Sequence, residues 1–223
     1  MLKATLSDPD RGVIEKAYAR WASIYDIVCG PIFVSGRHAA AQAACAVGGK
    51  ILEIGVGTGL SFDDYGATTE ITGIDISEPM IARARQRAES GRYPHVKGLT
   101  VMDAQNLRYP DASFDCVVGQ FVITLVADPE RVLSECARVV RPGGQIILVN
   151  HLYSERGLAA AVERLLAQQA RAVGLRPEFP FARLADWAAN HGRAELIERR
   201  KIKPFGVYTL VRFRRVKPQS IAA

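Results

Sequence analysis

The stretch Lys50-Ile-Leu-Glu-Ile-Gly-Val-Gly-Thr-Gly-Leu60 constrains this chain more than any other. An apolar run flows directly into glycines at 55, 57 and 59, so a β-strand must end in a turn whose backbone a ligand can approach closely. The pattern predicts a helix over residues 59–66, whose first N–H groups would face that ligand. A dinucleotide fingerprint would need glycine at 60, where this chain has Leu60, so a pyrophosphate cradle of that kind is not met. Twenty positions beyond Gly55 stands Asp75, at the end of a second strand, where a carboxylate can accept two hydrogen bonds from a ribose diol or act as a helix N-terminal charge.

From Lys50 onward, short apolar runs alternate with helical patterns, the signature of a parallel sheet with crossover helices. Strands are expected at Ile51 to Gly55, Glu70 to Asp75, Val96 to Met102, Phe114 to Gly119 and Gln145 to Asn150. Helices fall near Glu78 to Gly91 and Asp128 to Val140, the latter stopped by Arg141-Pro142-Gly143-Gly144 and a tight turn. Leu158 to Val173 reads as a further amphipathic helix, and Phe181 to Asn190 as a short one. Leu196 to Lys203 and Val207 to Val216 read as an antiparallel hairpin. Ahead of all this, Val13, Ile14, Ala17, Tyr18, Trp21 and Tyr25 recur at helical spacing, which fits either a packed helix or an interfacial one. Residues 1–30 are therefore read as a helical lid or membrane-contact segment and 31–223 as one domain.

At 48% hydrophobic and 23% charged, the chain is globular rather than disordered or collagenous. The longest uncharged apolar run, Cys116 to Ala127, is 12 residues, short of the ~18 a spanning helix needs, and no secretory signal opens the chain, so the expected location is the cytoplasm. Cys29, Cys45, Cys116 and Cys136 have neither C-x-x-C nor zinc spacing and read as reduced core residues, with no metal expected. Nine of the basic residues lie between Arg193 and Lys217 against Glu195 and Glu198, a local excess that suits an anionic surface. Aromatic platforms beyond Phe205, Tyr208 and Phe213 are missing from that stretch, which argues against nucleic acid.

Taken together, these motifs resemble the class I S-adenosylmethionine-dependent methyltransferases over roughly Tyr18 to Val216. The family's E-x-G-x-G-x-G stands as Glu53, Gly55, Gly57 and Gly59, its ribose acid as Asp75, its adenine-side acid as Asp103 beside Ala104, and its Asp-Ala-Ser-Phe-Asp as Asp111 to Asp115. The resemblance implies a Rossmann-like, doubly wound, seven-stranded sheet, mostly parallel with a C-terminal antiparallel hairpin. It also implies S-adenosyl-L-methionine as cofactor, S-adenosyl-L-homocysteine as product, and Ile76 against the adenine. Glu53 would sit near the cationic methionine end or brace the glycine loop.

Tyr18 to Asp26, Val118 to Thr124, Val149-Asn150-His151 and Arg176 to Pro180 look more narrowly like the bacterial soluble-type phosphatidylethanolamine N-methyltransferases. That implies a phospholipid substrate, three successive methyl transfers to phosphatidylcholine, and a monomer bound peripherally to an anionic membrane. Tyr18 and Tyr25 would close over the cofactor and line the amine site by cation–π attraction, or pack their helix on the sheet. Gln120 is a methionine-end or substrate contact. His151, just past the fifth strand, is an expected proton acceptor or a structural hydrogen bonder. Arg176 binds the lipid phosphate or caps a helix. A methyltransferase of the same fold acting on a quinone or other small acceptor is the alternative.

Overall fold

The computed structural model describes residues 33–152, 179–203 and 206–216. Tyr18, Tyr25, Arg176, Cys29, the helix expected through 158–173 and the whole N-terminal segment 1–30 lie outside them. A helix over residues 33–47 (α1) leads into β1 (Gly49–Ile54), β2 (Thr69–Asp75), α2 (Glu78–Ala88), β3 (Val96–Val101) and β4 (Phe114–Gln120). Then come α3 (Pro129–Val139), β5 (Val140–Asn150), α4 (Phe181–His191), β6 (Ala194–Lys201) and β7 (Thr209–Arg215). The seven strands form one sheet in the order β3-β2-β1-β4-β5-β7-β6. The first five run parallel, while β7 pairs antiparallel with both β5 and β6. β7 thus inserts between β5 and its own hairpin partner.

Period-two alternation explains how the sheet is covered. Ile51, Ile71, Cys116, Val118 and Ile147 face α1, whose Ala39, Ala40, Ala41 and Ala44 are small enough to lie flat on them. Leu52, Ile54, Val117, Ile146 and Phe213 face the other way, against Val132, Leu133 and Cys136 of α3 and Leu184 and Trp187 of α4. Burial on both faces is why these strands are continuous apolar runs. α3 starts where Asp128 accepts a hydrogen bond from the Arg131 N–H at 2.9 Å, with Pro129 in the first turn.

Two local expectations are corrected. The helix read over 59–66 is a single 3-10 turn, Phe62–Asp64. Gly57 and Gly59 are left-handed (φ 56° and 79°), so the chain leaves β1 through successive tight turns before any helical repeat can start. A Cβ at Gly59 would lie 2.4 Å from the Phe62 ring, so glycine is what lets that ring tuck under the turn. The strand expected from Gln145 begins earlier, at Val140, but residues 141–144 have no register partner on β4 and Gly143 is left-handed (φ 85°), so the expected tight turn stands as a bulge inside β5.

Five of the six arginines in the basic tail are engaged within the fold. Arg212 and Arg200 both bind Glu198 (2.7 and 2.6 Å), Arg214 binds Glu195 (3.2 Å), and Arg199 lies 3.8 Å over the Phe181 ring. Arg215 donates to the Arg138 and Val140 carbonyls. Cys116 and Cys136 are buried free thiols, their ionisation pushed up by burial. No helix among the described residues is long and apolar enough to cross a membrane.

Candidate active site

Five parallel strands bring their carboxyl ends to one edge, and the order reverses direction there between β1 and β4. At such a switch point the loops on either side diverge and leave a crevice. Here the crevice is an open cleft. Gly55, Gly57, Asp75, Ile76, Asp103, Ala104 and Gln120 all line it. Apolar wall comes from Ile74, Met80, Met102, Val122 and Leu125. A mostly apolar cavity with a few convergent polar groups is what an adenosine-sized ligand requires.

Asp75 is held at the mouth of the glycine turn. One of its oxygens accepts from the Gly57 N–H (3.0 Å) and the other from the Ser77 N–H (2.9 Å). Each carboxylate oxygen has a second lone pair, so two further donors such as a ribose diol can be taken. Burial raises the Asp75 pKa above the usual carboxylate value, partly offset by those N–H donors. Gly55 and Gly57 are left-handed (φ 69° and 56°). A Cβ at Gly55 would lie 2.6 Å from Val122, whereas one at Gly57 would meet nothing within 4 Å. Asp103 accepts from the Gln105 N–H at 2.9 Å.

Glu53 and Gly59 do not line the cleft. Glu53 is 2% exposed, beneath the turn, and accepts from Ser61 Oγ (3.0 Å) and Tyr65 OH (2.7 Å). Burial pushes its pKa up to about 7, against the lowering effect of the two hydroxyls and Arg37. His151 follows β5 directly, is half-buried, and stands outside the cleft lining.

Residues 52–148 match the family model described as a methyltransferase domain. A phosphatidylethanolamine N-methyltransferase of Cereibacter sphaeroides is 42% identical over 202 residues, 91% of this chain and 97% of that protein. This chain belongs to the phosphatidylethanolamine N-methyltransferase family. A demethylmenaquinone methyltransferase of Deinococcus radiodurans is more distant, 32% identical over 71% of this chain and 69% of its own length. The fold is that of a Thermotoga maritima S-adenosylmethionine-dependent methyltransferase, at TM-score 0.65 and 23% identity, covering 90% of this chain and 99% of that one. The cofactor of this family is S-adenosylmethionine.

The residues present fit that group. A sulfonium cofactor has no phosphate, and the cleft offers carboxylates, bare glycine backbone and apolar wall in place of a cationic cradle. Gln120 Oε1 is buried with no hydrogen-bond partner among the described residues, an acceptor waiting for a donor.

Sequence reasoning missed the wall between β4 and α3. Phe121 lines the cleft with φ 57°, in the left-handed region that a bulky residue enters only under tertiary compulsion. Its ring packs on Phe33 (centroids 4.3 Å apart) and Tyr208 (4.9 Å). In the sequence this wall is part of an uninterrupted apolar run, which looks like core.

Proposed function

We propose that this chain transfers methyl groups from S-adenosylmethionine to the head-group amine of phosphatidylethanolamine, in up to three steps that end at phosphatidylcholine. The observation that carries this is identity of 42% sustained through 91% of the chain, well beyond the cofactor-binding half common to the fold. When bound, S-adenosylmethionine supplies an electrophilic methyl on a sulfonium. Asp75 would accept from the ribose hydroxyls, and Ile76, Asp103 and Ala104 would hold the adenine. Gln120 would accept from the ammonium of the amino-acid end. Phe121, backed by the Phe33 and Tyr208 rings, would wall the cleft beside that end.

The acceptor amine is mostly an ammonium ion at neutral pH. With a lysine-like pKa of about 10.4, freeing its lone pair at pH 7 costs roughly 4–5 kcal/mol. Alignment in a closed site can contribute ~7–11 kcal/mol, so a strong dedicated base is unnecessary. His151, past the carboxyl end of β5, is our candidate for taking that proton. Tyr18 and Tyr25 would line the amine site and Arg176 would hold the lipid phosphate.

The lipid is met by peripheral binding of a monomer to an anionic cytoplasmic leaflet, through residues 1–30 and the β6–β7 hairpin. What supports this is the amphipathic spacing of the former and the cationic excess of the latter.

Incubation with methyl-labelled S-adenosylmethionine and vesicles of phosphatidylethanolamine with an anionic lipid tests the reading. Label in mono-, di- and trimethylated lipid, resolved by chromatography, is expected. Cofactor binding without lipid labelling would redirect the assignment to a quinone or other small acceptor.

A further inference from the structure

A chain of buried polar side chains runs behind the cleft wall, and only its last member, Gln120, lines the cleft. Ser61 Oγ and Tyr65 OH both donate to Glu53 Oε2, and Gln120 Nε2 donates to the Tyr65 oxygen at 3.3 Å. Glu53, Ser61, Tyr65 and Gln120 are all buried. A phenol has one proton. With that proton given to Glu53, Tyr65 can only accept from Gln120. The amide of Gln120 is therefore fixed with its NH2 toward Tyr65 and its carbonyl oxygen away from it. That oxygen is the buried atom left without a partner among the described residues, on a side chain that lines the cleft.

Resting on the reading of this cleft as the S-adenosylmethionine site, we propose that Tyr65 is a positioning residue. Anchored on Glu53, it locks the Gln120 amide so that a carbonyl oxygen, not an NH2, meets the ammonium group of the cofactor's amino-acid end. Without the phenol the amide is free to turn over, and its NH2 dipole would then oppose a cation. The lock is built from tertiary structure alone, since Tyr65 sits in the turn after β1 and Gln120 at the end of β4. Tyr65 also packs among the alanines of α1, so phenylalanine at this position keeps the packing and removes only the hydroxyl.

The test compares two ligands by calorimetry. S-adenosylhomocysteine carries the ammonium, and 5′-methylthioadenosine keeps the nucleoside but lacks it. Tyr65→Phe is expected to weaken S-adenosylhomocysteine roughly tenfold, the worth of one hydrogen bond to a charged group, and to leave 5′-methylthioadenosine unchanged. The double variant Tyr65→Phe/Gln120→Glu should regain most of the loss, because a carboxylate presents an acceptor whichever way it turns. Equal loss for both ligands, no loss for either, or no recovery in the double variant would overturn the proposal. Failure of the cleft reading itself has a different signature, since Asp75→Ala would then leave both ligands bound as in the wild type.

Discussion

The acidic side chains at the amino-terminal edge of the sheet and the two at the strand ends by the cleft are held in opposite ways, whereas Asp64 in the turn beyond β1 is paired with Arg37 at 2.7 Å. At the amino-terminal edge, Arg138 binds both oxygens of Glu135, Asp111 and the carbonyls of Leu107 and Tyr109. Asp115 is tied to the Lys50 N–H and to Arg141, both at 2.6 Å. Guanidinium pairing there holds the Glu135 carboxyl below the usual range. At the carboxyl-terminal edge, Glu53 and Asp75 have only hydroxyl and backbone N–H donors as direct partners, and burial raises both. Two of the three buried polar atoms without partners among the described residues, Gln120 Oε1 and Asn150 Oδ1, also stand at strand ends on this edge. One edge is saturated and holds the fold, while the other keeps acceptor capacity for a cationic ligand to complete.

The largest expected effect breaks the saturated edge. Arg138→Met strands the Glu135 carboxylate and two carbonyls, and should cost about 2–4 kcal/mol in denaturant unfolding. Cofactor affinity of the folded fraction should stay within about twofold of the wild type, because no atom of the cleft is touched. A comparable loss of affinity would mean that the edges are coupled.

The ligand edge should show itself in pH dependence. Glu53 normally titrates at 4.5 and is raised to about 7 in the fold. Between those values the native chain keeps a proton that the unfolded chain has released, so its contribution to stability is present below pH 4.5 and is lost as pH rises through about 7. The span corresponds to about 3 kcal/mol. Asp64 reinforces the shift, and Arg37, Tyr65 and Ser61 oppose it. Glu53→Gln should flatten this fall, measured by unfolding at a series of pH values. An unchanged slope would transfer it to another raised carboxylate such as Asp75.

Asp75→Ala comes next. Losing two charge-assisted hydrogen bonds to the ribose should weaken S-adenosylmethionine on the order of 100-fold by calorimetry. Near-native affinity would remove Asp75 from the cofactor contacts.

What the sequence disclosed follows from which interactions are local. The β1 glycine turn, Asp75 and the alternation of strands with α2 and α3 are written in adjacent residues, so they could be read directly. The 3-10 turn at Phe62–Asp64 could not, because it depends on Gly57 and Gly59 being left-handed and on where the Phe62 ring finds space. Tyr65 gave no signal either, being 55 positions from the Gln120 that it touches. Phe121 was hidden for a third reason: an apolar run has the same letters whether it fills a core or walls a cleft. β7 also sits between β5 and β6, an order that hairpin letters alone do not specify.

The smallest expected effect sharpens the contrast from the surface. The basic excess of the tail is real in sum, yet Arg200, Arg212 and Arg214 are each engaged by Glu195 or Glu198 on the same face of the hairpin. An exposed pair such as Arg214 with Glu195, each about half accessible, contributes little to stability because water screens it. Glu195→Gln should therefore change unfolding by less than about 0.5 kcal/mol. The same change releases one cationic charge toward an approaching bilayer, where it is worth about 1 kcal/mol, or roughly a fivefold gain in partitioning onto anionic vesicles at low salt. Co-sedimentation that rises and then collapses with added salt would make this face of β6–β7 a lipid contact. Partitioning that ignores the substitution would leave bilayer contact to the N-terminal residues alone, and the arginine–glutamate pairs would then serve only to keep the outer side of edge strand β6 from pairing with another chain.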